Sequence, residues 1–153
     1  MDRILIATDG SAHAQEAVDF GLELAAEQQA AVTFVLAIPA VDVVPAGGFG
    51  LTAVSEHELE PEESEPLDRA LQQAEAAGVR AQTRLLRGDA VDEIVAYADT
   101  IDADLIVVGS RGHGTLASAL LGSVSRGILH EARRPVLVVR GAAGRKPLAP
   151  ATA

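Results

Sequence analysis

Three stretches of this chain are apolar without interruption: Ile4-Leu5-Ile6-Ala7, Leu105-Ile106-Val107-Val108 and Val136-Leu137-Val138-Val139. A strand with one face in water alternates apolar and polar residues, whereas a strand covered on both faces does not. The three runs therefore predict parallel strands held between two layers of helices. Residues 32–38 read the same way. Residues 79–86 differ: Val79, Ala81, Thr83 and Leu85 alternate with Arg80, Gln82 and Arg84, as in a half-exposed strand near an edge.

Helical periodicity fills the gaps. Ala14, Val18, Leu22, Ala25 and Ala26 lie on one face of a helix over 11–29. Leu67, Ala70, Leu71 and Ala74 do the same over 67–77, with Gly78 placed to end that helix. Asp89 is the expected N-cap of a helix over 89–101, and Val124, Ile128 and Ala132 stripe a last helix over 123–132. Strands alternating with helices imply one domain over 1–140, an α/β fold with an open five-stranded parallel sheet and right-handed crossovers. Two segments fall outside the pattern. Residues 39–66, rich in Pro, Gly and acids, are expected as a mobile loop or lid, and 141–153 as a disordered tail.

Composition removes whole classes of chemistry. Of 153 residues none is Cys, which excludes disulfides, thiolate nucleophiles, zinc–cysteine sites and iron–sulfur clusters. None is Asn, so no N-glycosylation sequon exists. Aromatics are 3%, too few for base-stacking platforms. The net charge of −10 disfavours nucleic acid as a partner, because that binding depends on Lys and Arg displacing counterions. The charge is also uneven. Residues 1–68 hold 14 acids against Arg3 alone, −13; residues 69–153 hold 8 acids against 11 bases, +3. An anionic ligand is therefore expected against the second part. The apolar run 30–38 is too short to span a bilayer, and Asp2 stands where a signal peptide carries bases. The expectation is a cytoplasmic protein with no membrane partner.

In an open parallel sheet, ligands bind beyond the carboxyl ends of the strands, where the strand order reverses. Two strand ends carry unusual residues. The first is followed by Thr8-Asp9-Gly10-Ser11, the fourth by Gly109-Ser110-Arg111-Gly112-His113-Gly114, and Gly122-Ser123-Val124-Ser125 opens the last helix. Glycines admit close approach of the backbone, and a helix N-terminus presents free N–H groups to an anion. Ser123 and Ser125 are candidate hydroxyl donors, and Arg111 supplies positive charge. The spacing is neither a P-loop nor the Gly-x-Gly-x-x-Gly dinucleotide fingerprint, and no Gly-x-Ser-x-Gly elbow is present.

Gly109-x2-Gly112-x9-Gly122-Ser123 resembles the nucleotide motif of the ATP-binding universal stress proteins. The opening ILIATDGSAHAQEA, the stretch RGDAVDEIVAYADTIDADLIVVGSRGHG, the GSVS turn and the closing RRPVLVVR are similar to that family too, so the likeness runs from residue 3 to 140 outside 39–66. It implies a strand order of 3-2-1-4-5, which brings the Asp9 and Gly109 loops together. It also implies a pose for ATP. Ala7, Thr8 and Asp9 would face the adenosine, with Ala37 and Ile38 at the adenine edge through backbone groups. Gly109 and Gly112 would approach the ribose and α-phosphate, and Gly122, Ser123, Val124 and Ser125 would hold the outer phosphates. Ser110, Arg111 and His113 line the same loop. Members lacking the glycine motif do not bind ATP; this sequence has every position. The resemblance further implies a homodimer through the last strand, from Val136 to Arg140; the tail is the other candidate to cover that edge.

Simpler roles compete. Asp9 is either a nucleotide or Mg²⁺ contact or the N-cap of the first helix. Ser123 and Ser125 serve as helix caps whether or not phosphate binds, and His113 reads first as a loop residue in water. His13, His57 and His130 form no triad with a serine and an acid. Arg133-Arg134 suits a helix C-terminus, where cations are favoured. The leading expectation is a stress-response nucleotide-binding module with slow or no hydrolysis. A weak Mg²⁺-dependent ATPase or phosphotransferase using Asp9, an AMP or cyclic-nucleotide module, and a ligand-independent chaperone-like scaffold are the alternatives.

Overall fold

A computed structural model describes residues 1–111 and 121–141. The elements run β1 (Arg3–Ala7), α1 (Ala12–Gln28), β2 (Ala31–Ile38), β3 (Val41–Pro45), β4 (Thr52–Glu56), α2 (Pro61–Ala76), β5 (Ala81–Arg87), α3 (Ala90–Thr100), β6 (Leu105–Gly109), α4 (Ser123–Glu131) and β7 (Val136–Val139). Five strands form a parallel sheet in the order β5-β2-β1-β6-β7, and β3 and β4 make a separate antiparallel hairpin. Numbered without the hairpin, the large sheet is the expected 3-2-1-4-5. Ile6 sits level with Phe34 on one side and Val107 on the other, so β1 is the centre of the fold.

The unbroken apolar runs divide by parity between two cores. Ile4, Ile6, Phe34 and Val107 pack with Ala17, Val18 and Leu22 of α1 and Leu67, Ala70 and Ala74 of α2. Leu5, Val35, Ile106 and Val108 pack on the other face with Ile94 and Ala98 of α3 and Ile128 of α4. Helices cover both faces, as the continuous runs require. The alternating strand β5 is an edge strand, and β7, half-buried along its length, is the other edge. Among the described residues no helix is long and apolar enough to cross a membrane.

Residues 39–66 are not one loop. Val41–Pro45 and Thr52–Glu56 pair with Val43 opposite Val54, closing through residues where Gly47, Phe49 and Gly50 have φ of 77°, 70° and 70°. The high Pro, Gly and Glu content hid two short strands, VDVVP and TAVSE. The second helix begins at Pro61, not at 67. Proline is favoured in the first helical turn, and the Glu63 carboxylate accepts the Glu60 N–H at 2.8 Å, which anchors that start. Its first turn is acidic and exposed, so an apolar-stripe reading begins too late.

Arg134 serves a helix C-terminus as expected, and that helix is α3: its guanidinium donates to Asp99 at 2.8 Å and Asp102 at 3.0 Å, around the end of α3. The tail beyond residue 141 lies outside the described residues.

Candidate functional site

The cleft opens where β1 and β6 end side by side. The β1–α1 turn is built by two local hydrogen bonds and a left-handed glycine. Asp9 Oδ1 accepts the Ser11 N–H at 2.9 Å, Thr8 Oγ1 accepts the Gly10 N–H at 3.2 Å, and Gly10 adopts φ +79° against the ring of Pro66. Ser11, not Asp9, caps α1: its hydroxyl oxygen accepts the Ala14 N–H at 3.2 Å. The Asp9 carboxylate is thus set one step upstream of the helix, on the cleft wall.

The chain from β6 to α4 leaves and returns to the same place. The Ser110 carbonyl accepts the Gly122 N–H at 2.8 Å, and Ser125 Oγ donates to the Gly109 carbonyl at 2.6 Å. These two bonds hold the first turn of α4 against the end of β6. Ser125 is 5% exposed, and its proton is committed to Gly109. It therefore positions the helix, and the expectation of a second hydroxyl donor to a ligand is corrected. Ser110 is likewise a linking residue: it is buried, and its N–H donates to the Val139 carbonyl at 2.9 Å.

Gly109 is glycine for a packing reason. A Cβ there would lie 2.4 Å from the His13 carbonyl oxygen in α1, a backbone atom that cannot move aside. Gly122 is the N-cap of α4 at φ −62°, ψ 161°, extended backbone open to any residue. As a glycine it offers no side chain to its own helix, and α4 carries no acid in its first turn. The N–H groups of Ser123, Val124 and Ser125 thus begin a helix of nine residues with no side-chain cap from Gly122.

The resulting cleft has a volume of about 610 Å³. Ala7, Thr8, Asp9, Ala37, Gly109, Arg111, Gly122, Ser123, Val124 and Ser125 all line it. Ile38 does not: its side chain belongs to the α1–α2 core, and its carbonyl accepts the Gly88 N–H at 2.9 Å. Neighbouring strand residues face opposite layers, so the Ile38 side chain lies away from the cleft that Ala37 lines. Gly112 and His113 lie outside the described residues. The structure adds lining residues that the motif did not name, among them Ala14, Ala90, Ile94, Leu121 and Arg126. Small side chains were the available signal, because alanines at 7, 14, 37 and 90 keep the space open.

The electrostatics favour an anion at one end. Arg111 and Arg126 line the cleft near the α4 N-terminus, and Asp9 is the acid lining its wall. Among the described residues no group of three or more His, Asp or Glu side chains is placed to hold a metal ion.

The model of the universal stress protein family matches residues 1–140. The universal stress protein MJ0531 of Methanocaldococcus jannaschii is 38% identical over 141 residues, covering 90% of this chain and 81% of that one. A solved universal stress protein in complex with cAMP superposes with a TM-score of 0.66 at 29% identity, over 90% of this chain and 96% of that one. One from Archaeoglobus fulgidus in complex with dAMP superposes with a TM-score of 0.65 at 25% identity, over 90% and 97%. A five-stranded parallel sheet in this order, a family match through the last strand and this degree of identity lead to one conclusion: the chain belongs to the universal stress protein family.

Proposed function

We propose that this protein is a homodimeric, cytoplasmic stress-response module that binds ATP in the cleft between β1, β6 and α4. The single observation that carries the reading is the first turn of α4, which faces the cleft without a side-chain cap while Arg111 and Arg126 stand beside it. A cleft of about 610 Å³ is of the size that holds a small-molecule ligand. In this pose Ala7, Thr8, Asp9 and Ala37 meet the adenosine. Gly109 and Gly112 pass the ribose and α-phosphate, and the amides of Gly122, Ser123, Val124 and Ser125 meet the outer phosphates. A magnesium ion would take Asp9 as its carboxylate, with the remaining positions filled by phosphate and water. Hydrolysis is slow or absent, because Asp9 is the only carboxylate among the described lining residues and is already engaged by the Ser11 N–H.

The cAMP and dAMP bound by the two solved relatives favour one competing reading, a preference for nucleoside monophosphates. Competition among ATP, AMP and cAMP in equilibrium binding separates the two. Tightest binding of ATP, lost in Gly122→Val, is the expected result; equal or weaker binding of ATP than of AMP assigns the cleft to monophosphates. The dimer reading is supported by β7, which pairs on one side with β6 and leaves its other edge beside a groove lined by Phe20 and Leu137. Sedimentation of the purified protein as a monomer at micromolar concentration overturns it.

A further inference from the structure

Between β4 and α2 lies a histidine whose two ring nitrogens both face carboxylates. His57 Nδ1 is 2.9 Å from both oxygens of Asp42 on β3. Its Nε2 is 2.9 and 3.0 Å from the oxygens of Glu63 in the first turn of α2. The ring is 15% exposed. An ionised carboxylate only accepts hydrogen bonds, so each nitrogen must carry a proton to bond its partner. Neutral imidazole carries one such proton and imidazolium two. The arrangement is satisfied by the cation alone.

What the ring joins is otherwise weakly held. β3 and β4 pack mainly against each other, and Val41, Val43, Val44 and Val54 are all exposed. The hairpin therefore buries little apolar surface against the rest of the fold. The backbone of His57 is anchored independently of its ring: its N–H donates to the Ala40 carbonyl at 3.1 Å, and its carbonyl accepts from Arg87 Nη1 at 2.9 Å. Glu63 is likewise held, by the Glu60 N–H at 2.8 Å. The ring can thus gain or lose its proton while its position in the chain stays fixed.

We propose that His57 is a proton-operated latch: as imidazolium it ties the β3–β4 hairpin to the start of α2, and loss of its proton releases the hairpin. This device is independent of the nucleotide reading of the cleft. The charged groups facing it are Asp42 from β3, Glu63 from α2 and Arg87 from the end of β5, the last at the backbone carbonyl. The hydrogen bonds to Asp42 and then Glu63 hold the His57 pKa above its ordinary 6.5, against an opposing effect of partial burial. The sign follows. A raised folded-state pKa means that, while both carboxylates are ionised, the latch is fully closed below 6.5 and opens as pH rises through the higher folded value.

The test is an NMR pH titration of the full chain, with the His57 ring signal assigned by its disappearance in His57→Gln. The expected result is a midpoint above 6.5 that falls in Asp42→Asn and in Glu63→Gln. Backbone order parameters of residues 41–56 should fall across that midpoint from about 0.85 to about 0.6. In His57→Gln they should stay low at every pH. Asp42→Asn keeps the ring and its backbone anchors, so it carries the test if His57→Gln does not fold. A wild-type midpoint at or below 6.5 overturns the proposal. So does hairpin order that does not change across the His57 midpoint.

Discussion

Helices α3 and α4 lie side by side on one face of the sheet and both begin at the cleft, yet they begin in opposite ways. Asp89 caps α3, accepting the N–H groups of Val91 and Asp92 at 3.0 and 3.1 Å, and Asp92 and Glu93 add negative charge to its first turn. The helix answers its own dipole. α4 starts at a glycine, with no cap side chain and no acid in its first turn. Close packing binds the two together, since Gly127 of α4 lies against Val91 of α3. A helix that satisfies its own N-terminus asks nothing of a ligand, whereas the uncapped start of α4 is where the proposed function places the phosphates. The contrast rests on residue type: a capping aspartate with two acids behind it at α3, a glycine followed by serine at α4.

The comparison is broken most directly by making α4 resemble α3. Ser123→Glu places a carboxylate in the α4 first turn, where it is expected to weaken ATP binding about 100-fold, near 2.7 kcal/mol. The same change should raise stability by about 0.3–1 kcal/mol through the helix dipole. Calorimetric titration and thermal melting read both signs, and unchanged affinity removes phosphate from the α4 turn.

Gly109→Ala tests whether that glycine serves packing. Its Cβ would meet the α1 backbone, so a loss of about 1–3 kcal/mol in denaturant unfolding is expected. A variant as stable as the parent would return Gly109 to the role of a ligand contact. Ser125→Ala strips the bond that fixes α4 on β6 and leaves the Gly109 carbonyl without that donor, at about 1–2 kcal/mol. ATP affinity should fall with it, because the helix start loses its anchor. A stability loss with fully retained affinity would mean that the turn is held by other contacts. Asp89→Ala should have the smallest effect, about 1 kcal/mol and roughly 3 °C in Tm, with nucleotide affinity changed less than twofold. A large affinity loss there would show that α3 also serves the ligand.

Much of this was legible in the sequence. The runs at 4–7, 105–108 and 136–139 announced strands covered on both faces, and alternation from Val79 to Leu85 announced a strand near an edge. The site was legible in part, because Gly-Ser at the mouth of a helix is a local pattern. The hairpin at 41–56 was not legible, since its strands are short and its loop chemistry dominates the composition. The roles of Ser125 and Gly109 were also hidden. Both depend on what the chain meets after a fold: a carbonyl 16 residues earlier for Ser125, the α1 backbone for Gly109. His57 read as an isolated residue in an acidic stretch, because Asp42 lies 15 residues away and approaches only when the hairpin closes.

The order of the five sheet strands and the helices between them, their two-sided burial and the starts of α1, α3 and α4 were settled by the sequence alone. Periodicity and capping act over a few residues, so they can be read without coordinates. Which of two flanking residues faces the cleft, whether a hydroxyl proton is free, and why a given glycine admits no side chain were decided only by tertiary structure. Each of those answers depends on atoms brought within a few ångströms of one another by packing, from parts of the chain with no local signal linking them.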